Sequence, residues 1–284
     1  MRVLIAGAAG LVGTELARFY NGDDVAALRR RELDITDENA VEATVQRLQP
    51  DVVFNCAVIG VDDCEADPGR AHAVNVSGPA HLAAAAQRIG ASFVHFSSNY
   101  VFDGRRTSGV PYTIDDEALP VNVYGATKLQ GERAVAGAST RALIVRTSWV
   151  FGAGKNSFLS TVAERLSLGE RVQAISDTFA STTYVVDLVA RVAALVERGE
   201  AGTVQVVNEG VCSYESFARE AARLVGASEE LIETVTEESM GRPATRPRWT
   251  PMECVPPMRS WEEALAEYVH DHRQRAAPRE GSRE

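Results

Sequence analysis

Tyr124 and Lys128 stand four residues apart in Tyr124-Gly125-Ala126-Thr127-Lys128. On a helix that spacing leaves the two side chains ~40° apart around the axis, on one face. Their chemistry is complementary. An ammonium beside a phenol stabilises the phenolate and lowers a pKa that is ordinarily ~10. Such a phenol can give its proton to a developing alkoxide. Ser98, in Ser97-Ser98-Asn99-Tyr100, closes an apolar run and could hold the same oxygen through its hydroxyl. Alone, a tyrosine and lysine at this spacing mark many surface helices. Together with a strand-end serine and a glycine turn they are specific.

The glycine turn is Gly7-Ala8-Ala9-Gly10-Leu11-Val12-Gly13. It follows the first apolar run and opens a helical pattern. Glycines there allow a tight turn and close approach of a pyrophosphate to a helix N-terminus. Gly7, Gly10, Leu11, Val12 and Gly13 are therefore candidate dinucleotide contacts. The end of the second strand decides which dinucleotide. An acid suits ribose hydroxyls, and a base suits a 2′-phosphate. Here Leu28 is followed by Arg29, Arg30 and Arg31. Arginine forks onto phosphate, so the run favours NADPH, with NADH as the alternative. Asp34 and Ile35 are placed to flank the adenine. Cys56, Ala57 and Val58 leave the third strand as small residues over which a cofactor can pass, and Ser97 adds a further contact.

These residues need a scaffold. Continuous apolar runs at 3–6, 25–28, 52–55, 93–96 and 143–145 read as strands buried on both faces. Helical patterns at 11–20, 38–48, 71–89 and 123–135 separate them. That alternation predicts an α/β fold, a Rossmann-type doubly wound parallel sheet. A helix at 185–196 and a strand at 204–207 return to the sheet. Residues 1–152, with about 184–208, form the NADP(H)-binding part. Residues 153–183 and 209–274 form a smaller C-terminal α/β substrate lobe, with loops and short helices at 228–260. Residues 275–284 read as a loose tail.

Acids exceed bases, 39 against 29, for a net charge of −10. That excludes a general nucleic-acid or anionic-membrane binder. No apolar run is long enough to span a bilayer, and the start lacks a signal-peptide pattern. Cys56, Cys64, Cys212 and Cys254 are scattered without ligand spacing, so no metal site is expected and reduced thiols in the cytoplasm are.

The stretches 1–13, 33–37, 50–55, 97–102, 122–128 and 146–152 resemble the extended short-chain dehydrogenase/reductases. More narrowly they resemble the dTDP-4-dehydrorhamnose reductase family and related sugar-nucleotide ketoreductases. The resemblance implies Ser98, Tyr124 and Lys128 as a catalytic triad, with Lys128 also on the nicotinamide ribose. It implies that Asn75 shapes the helix beneath the site, among the cofactor-binding positions, and that Trp149 faces the sugar. The implied reaction is NADPH-dependent reduction of a keto group, at C4, of a nucleotide-activated, dTDP-linked deoxysugar. Dehydratase relatives place Asp-Glu directly after the Ser/Thr. Here those positions are Asn99 and Tyr100, which disfavours elimination. Reductases of the family carry Asp-Tyr, so Asn99 departs from their pattern too. An epimerase, or a regulatory subunit of methionine adenosyltransferase type, shares the motifs and stands as the alternative. Asn99, Tyr100, Trp149, Asn156, Thr183 and Arg246 are candidate substrate contacts beside Ser98. Arg246 comes from a segment, 241–249, in which prolines hold three arginines extended. Some relatives dimerise through a magnesium bridge. Glu15 matches one ligand position, but Val186 falls at the other, so a monomer or metal-independent homodimer is expected.

Overall fold

A computed structural model describes residues 1–106 and 109–276. The first part alternates strand and helix: β1 (Arg2–Ala6), α1 (Leu11–Phe19), β2 (Asp24–Leu28), α2 (Glu38–Leu48) and β3 (Val52–Asn55). Two short helices follow, α3 (Val61–Ala66) and α4 (Pro68–His72). A π-turn at Ala73–Ser77 links α4 to α5 (Gly78–Ile89). Then come β4 (Ser92–Ser98), α6 (Val123–Ala138) and β5 (Ala142–Thr147). The later part contains β6 (Val150–Phe151), α7 (Phe158–Ser167), β7 (Val172–Ile175), β8 (Phe179–Ala180), β9 (Thr183–Tyr184), α8 (Val185–Glu197) and β10 (Gly202–Gln205). It ends with β11 (Cys212–Ser213), α9 (Tyr214–Val225), β12 (Ile232–Val235), β13 (Trp249–Thr250) and α10 (Trp261–Ala276).

Among the described residues six parallel strands form the main sheet, in the order β2-β1-β3-β4-β5-β10. The order reverses between β1 and β3, and ligands of such sheets bind at the strand ends beside that switch. Side chains alternate across the sheet. Val3, Ile5, Phe54 and Val94 pack on one face. Leu4, Val53, Phe93 and Ile144 pack on the other. Both faces are covered, which is why the strands read as continuous apolar runs.

The pattern at 71–89 predicts one unbroken helix, and the structure divides it. The π-turn admits one extra residue per turn. It carries Asn75 inward, where the side chain accepts from Ile59 N at 3.3 Å and donates to Thr127 Oγ1 at 3.1 Å. The strand expected at 204–207 runs at 202–205, paired with β5 from Leu143 onward. The segment 228–260 also holds more strand than its composition suggests. β12 pairs with β7, and β13 with β8. Helix α10 reaches Ala276, two residues into the stretch read as tail. Residues 277–284 lie outside the described residues. Among the described residues the later part of the chain shares the sheet's core. Leu159 of α7, Phe217 of α9 and Leu265 of α10 belong to the same hydrophobic cluster as Val3 and Ile5 of β1.

Candidate active site

At the switch point the chain leaves β1 through Gly7, at φ 81°. Gly7 N and Ala8 N both donate to Leu28 O, at 2.9 and 3.1 Å. A Cβ on Gly7 would lie 2.5 Å from Ala57 N, and one on Gly13 would lie 2.8 Å from Gly7 O. Those two glycines let turn, helix and β3 close together. Gly10 acts differently. It is the N-cap of α1 and offers no side-chain cap. Gly10, Leu11, Val12 and Gly13 line a cleft of about 820 Å³. An uncapped helix N-terminus aimed into a cleft is an anion site. Cys56, Ala57 and Val58 line it too. Burial raises the Cys56 thiol strongly, so it stays uncharged there.

Further along the same cleft, β4 delivers Ser97 and Ser98, and the turn after it delivers Asn99 and Tyr100. Ser98 Oγ accepts from Tyr100 N at 3.2 Å and donates to Asn99 Oδ1 at 3.1 Å. Asn99 Nδ2 donates in turn to Thr250 Oγ1 at 2.7 Å. The Ser97 hydroxyl turns away to the Glu132 carboxylate, which also binds Arg146 through two hydrogen bonds.

Helix α6 starts from Asn122, whose Oδ1 accepts from Gly125 N at 2.7 Å. A Cβ on Gly125 would meet Tyr100 O at 2.0 Å, and one on Gly131 would meet Asn75 O at 2.2 Å. These glycines seat α6 against the Ser98–Tyr100 turn and the π-turn. The motif's glycine, Gly125, is thus a packing residue, a role the sequence reading did not assign. Tyr124 thereby reaches the Ser98 hydroxyl, with the Tyr100 ring edge-on at 5.8 Å. Burial pushes the Tyr124 phenol up to about 12, and its hydrogen bond with Ser98 acts in the opposite sense. Lys128 shares the helix face and the cleft, as its spacing predicts. It does not use its ammonium on Tyr124, as the sequence reading expects. Nζ lies 2.6 Å from Phe96 O and 3.3 Å from His95 Nε2. Burial lowers its pKa to about 8, with Glu132 opposing.

Trp149 lies in the cleft in a left-handed backbone conformation, φ 40°, which a non-glycine residue rarely adopts. Its ring lies tilted against Tyr214 at 4.1 Å, and its buried Nε1 has no hydrogen-bond partner among the described residues. Asn156 also lines the cleft, beside Lys155 and Phe158. Phe158 was a weaker candidate of the sequence and does line the cleft, whereas Lys155, Gln173 and Tyr214 were missed. They come from separate lobe elements and share no motif.

Several expected contacts lie elsewhere. Arg246 is only 6% exposed and is held by Asp62 of α3 through two 2.6 Å bonds. That pair ties the 241–249 segment to α3. Arg242 is the member of its segment that lines the cleft, and it pairs with Glu237 at 3.5 Å. Arg248 lines a separate cavity. Thr183 is fully buried, its hydroxyl donating to Ser148 O at 2.8 Å. Asn75 is fully buried in the network around the π-turn, beneath the cleft wall. The Ile35 side chain is buried against Gly78. Asp34 accepts from Thr36 N and Oγ1, which hold its carboxyl below the usual range. Arg29 and Arg30 are exposed just past the β2 end that touches the glycine turn. Arg30 makes a loose 3.7 Å pair with Asp34. Glu15 pairs with Arg18, and among the described residues no carboxylate, histidine and cysteine cluster suits a metal.

A family model described as "RmlD substrate binding domain" matches residues 1–274. The chain belongs to that family. It is 40% identical over 280 residues to the dTDP-4-dehydrorhamnose reductase of Mycolicibacterium smegmatis, covering 94% of this chain and 85% of that one. It is 34% identical over 277 residues to the dTDP-4-keto-6-deoxy-D-glucose reductase of Streptomyces niveus, covering 94% and 96%. The solved structure of a Bacillus anthracis dTDP-4-dehydrorhamnose reductase in complex with NADP matches with a TM-score of 0.89 at 31% identity, over 95% of this chain and 99% of that one. The relatives of this chain thus include reductases named for more than one sugar.

Proposed function

We propose that this chain is an NADPH-dependent ketoreductase that reduces the C4 ketone of a dTDP-linked deoxysugar. One observation carries the reading: a single cleft joins an uncapped helix N-terminus to Ser98 and Tyr124, which line the same wall. The residues present fit the cofactor. The first turn of α1 would hold the pyrophosphate, with Ala57 and Val58 beside it. Arg29 and Arg30 would hold the 2′-phosphate. NADPH, when bound, supplies the hydride that turns the ketone into an alkoxide. Tyr124, protonated at neutral pH, gives that oxygen its proton. Ser98 holds the oxygen by turning its hydroxyl from Asn99. Trp149 Nε1 is a donor awaiting a sugar oxygen, and Arg242 and Lys155 suit the diphosphate.

Asn99 supplies no carboxylate and is tied to Thr250, which supports reduction over elimination. Among the described residues no helix is long and apolar enough to cross a membrane. We place the reaction in the cytoplasm, where the four free cysteines would remain thiols, and expect a monomer or metal-independent homodimer. The deciding experiment offers purified protein NADPH with dTDP-4-keto-6-deoxysugars. Consumption of NADPH with formation of the 4-hydroxy sugar is expected. Binding of NADPH without turnover on any such sugar would favour the regulatory alternative and overturn the assignment.

A further inference from the structure

His95 has no place in the chemistry above, yet it is fully buried directly behind Lys128. Strands β3 and β4 put Asn55 opposite His95. Asn55 Oδ1 receives Ala57 N at 3.1 Å. A peptide N–H can only donate, so the amide's orientation is settled. Its Nδ2 then faces His95 Nδ1 at 3.1 Å. An amide NH₂ can only donate as well, so Nδ1 carries no proton. The proton of a neutral imidazole must sit on Nε2. Nε2 lies 3.3 Å from Lys128 Nζ. An ammonium has three donors and no lone pair, so it cannot accept Nε2–H. A neutral amine can, and it keeps a proton to donate to Phe96 O at 2.6 Å. Turning the Asn55 amide over would press its NH₂ against Ala57 N–H.

We propose that Asn55 and His95 are positioning residues that set the protonation state of Lys128: Asn55 holds His95 as the Nε2–H tautomer, and Lys128 rests against it as a neutral amine. The surroundings agree. Burial holds His95 well below its ordinary range, so the ring is uncharged. The titratable groups facing Lys128 are Glu132 from α6, Cys64 from α3, Cys56 from the end of β3 and His95 from β4. Burial raises both thiols, so neither supplies a negative charge. Glu132 is already committed to Arg146 and Ser97. A proton taken from solvent converts Lys128 to an ammonium and breaks its contact with Nε2–H. The charged head must then turn toward the cleft. A ligand that needs a cation at Lys128 therefore takes up a proton when it binds.

The tautomer assignment stands on geometry alone, while proton uptake rests also on the reading of the cleft as an NADPH site. Imidazole ¹⁵N shifts of the labelled full chain test the first. The protein has five histidines, and the signal missing from His95→Gln identifies His95. A neutral Nε2–H ring is expected at neutral pH. A neutral Nδ1–H ring or an imidazolium would overturn the proposal. In Asn55→Asp a carboxylate accepts from both Ala57 N and Nδ1–H, so the tautomer should invert and seat Lys128 as an ammonium. Calorimetry of NADPH binding near pH 8, in buffers of different ionisation heat, tests the second. The wild type should take up a proton, and Asn55→Asp should lose that uptake. Equal uptake by both proteins would overturn the coupling to Lys128. Failure of NADPH to bind would remove the cofactor reading, and the tautomer would still decide this one. The wild-type tautomer also decides it should Asn55→Asp not fold.

Discussion

A phenol raised to about 12 is a weak acid that is fully protonated at neutral pH. That suits a donor whose proton leaves only when an alkoxide forms beside it. Tyr124→Phe removes the proton and keeps the ring. Turnover should fall ~10²–10⁴-fold, with NADPH affinity, read by fluorescence titration, nearly unchanged. Ser98→Ala removes the second partner of the oxygen and should lower kcat by ~10²-fold. A kcat within about twofold of wild type for either variant would end its assigned role. Trp149 belongs to the same scale. Its left-handed backbone and unpartnered Nε1 are costs carried in the wall of the cleft, and such costs concentrate at functional sites. Trp149→Phe should leave NADPH binding alone and raise KM for the sugar nucleotide.

Between elements, two contacts carry predictions. The end of β2 presents Arg29 and Arg30 beside the glycine turn. Arg29→Ala and Arg30→Ala should each weaken NADPH ~10-fold, in keeping with ~1.5–3 kcal/mol for a hydrogen bond to a charged group. NADH should be affected far less, and equal losses for both cofactors would refute the 2′-phosphate contact. Arg246 joins the lobe to α3 through Asp62. Arg246→Met should lower the thermal midpoint by several degrees, because it leaves a half-buried carboxylate unpaired. The Asp62 contact of this arginine shows where the sequence was legible and where it was not. β3 and α2 match their predicted limits, because apolar patterning is a local signal. Ser98, Tyr124 and Lys128 were legible because one strand end and one helix turn present them. Arg246 was not, since its partner lies 184 residues away in the chain. Nor was the π-turn, whose cause is the burial of Asn75 against two other elements. The direction of Lys128 was equally hidden. The helix face it occupies is local, while Phe96 and His95 come from a different strand.

For the molecule as a whole, the cleft is a place where stability is given up. Lys128 titrates near 8 in the folded chain and at 10.5 in the unfolded one. Between those values the unfolded chain binds more protons, so stability rises with pH through that window. At neutral pH the fold must either strip the amine of its proton or bury its charge, and that cost is present in full. Tyr124 acts in the opposite sense from 10 to about 12, where the folded chain retains a proton the unfolded chain has lost. Lys128→Met should therefore abolish turnover while raising the thermal midpoint at neutral pH. A lower midpoint would show that the amine's hydrogen bonds outweigh its desolvation. The net charge of −10 also takes its place. A polyanionic ligand is met by a helix end and a few arginines, so raising salt should weaken NADPH through screening at those points. The single hydrophobic cluster shared by β1, α7, α9 and α10 has a further consequence, for heredity. A lobe that shares the sheet's core cannot be exchanged between relatives as a module. A chimera that took residues 153–274 from a paralogue would have to rebuild the packing face of the sheet as well. A change of ligand preference is therefore better sought by single substitutions along the cleft than by exchange of segments.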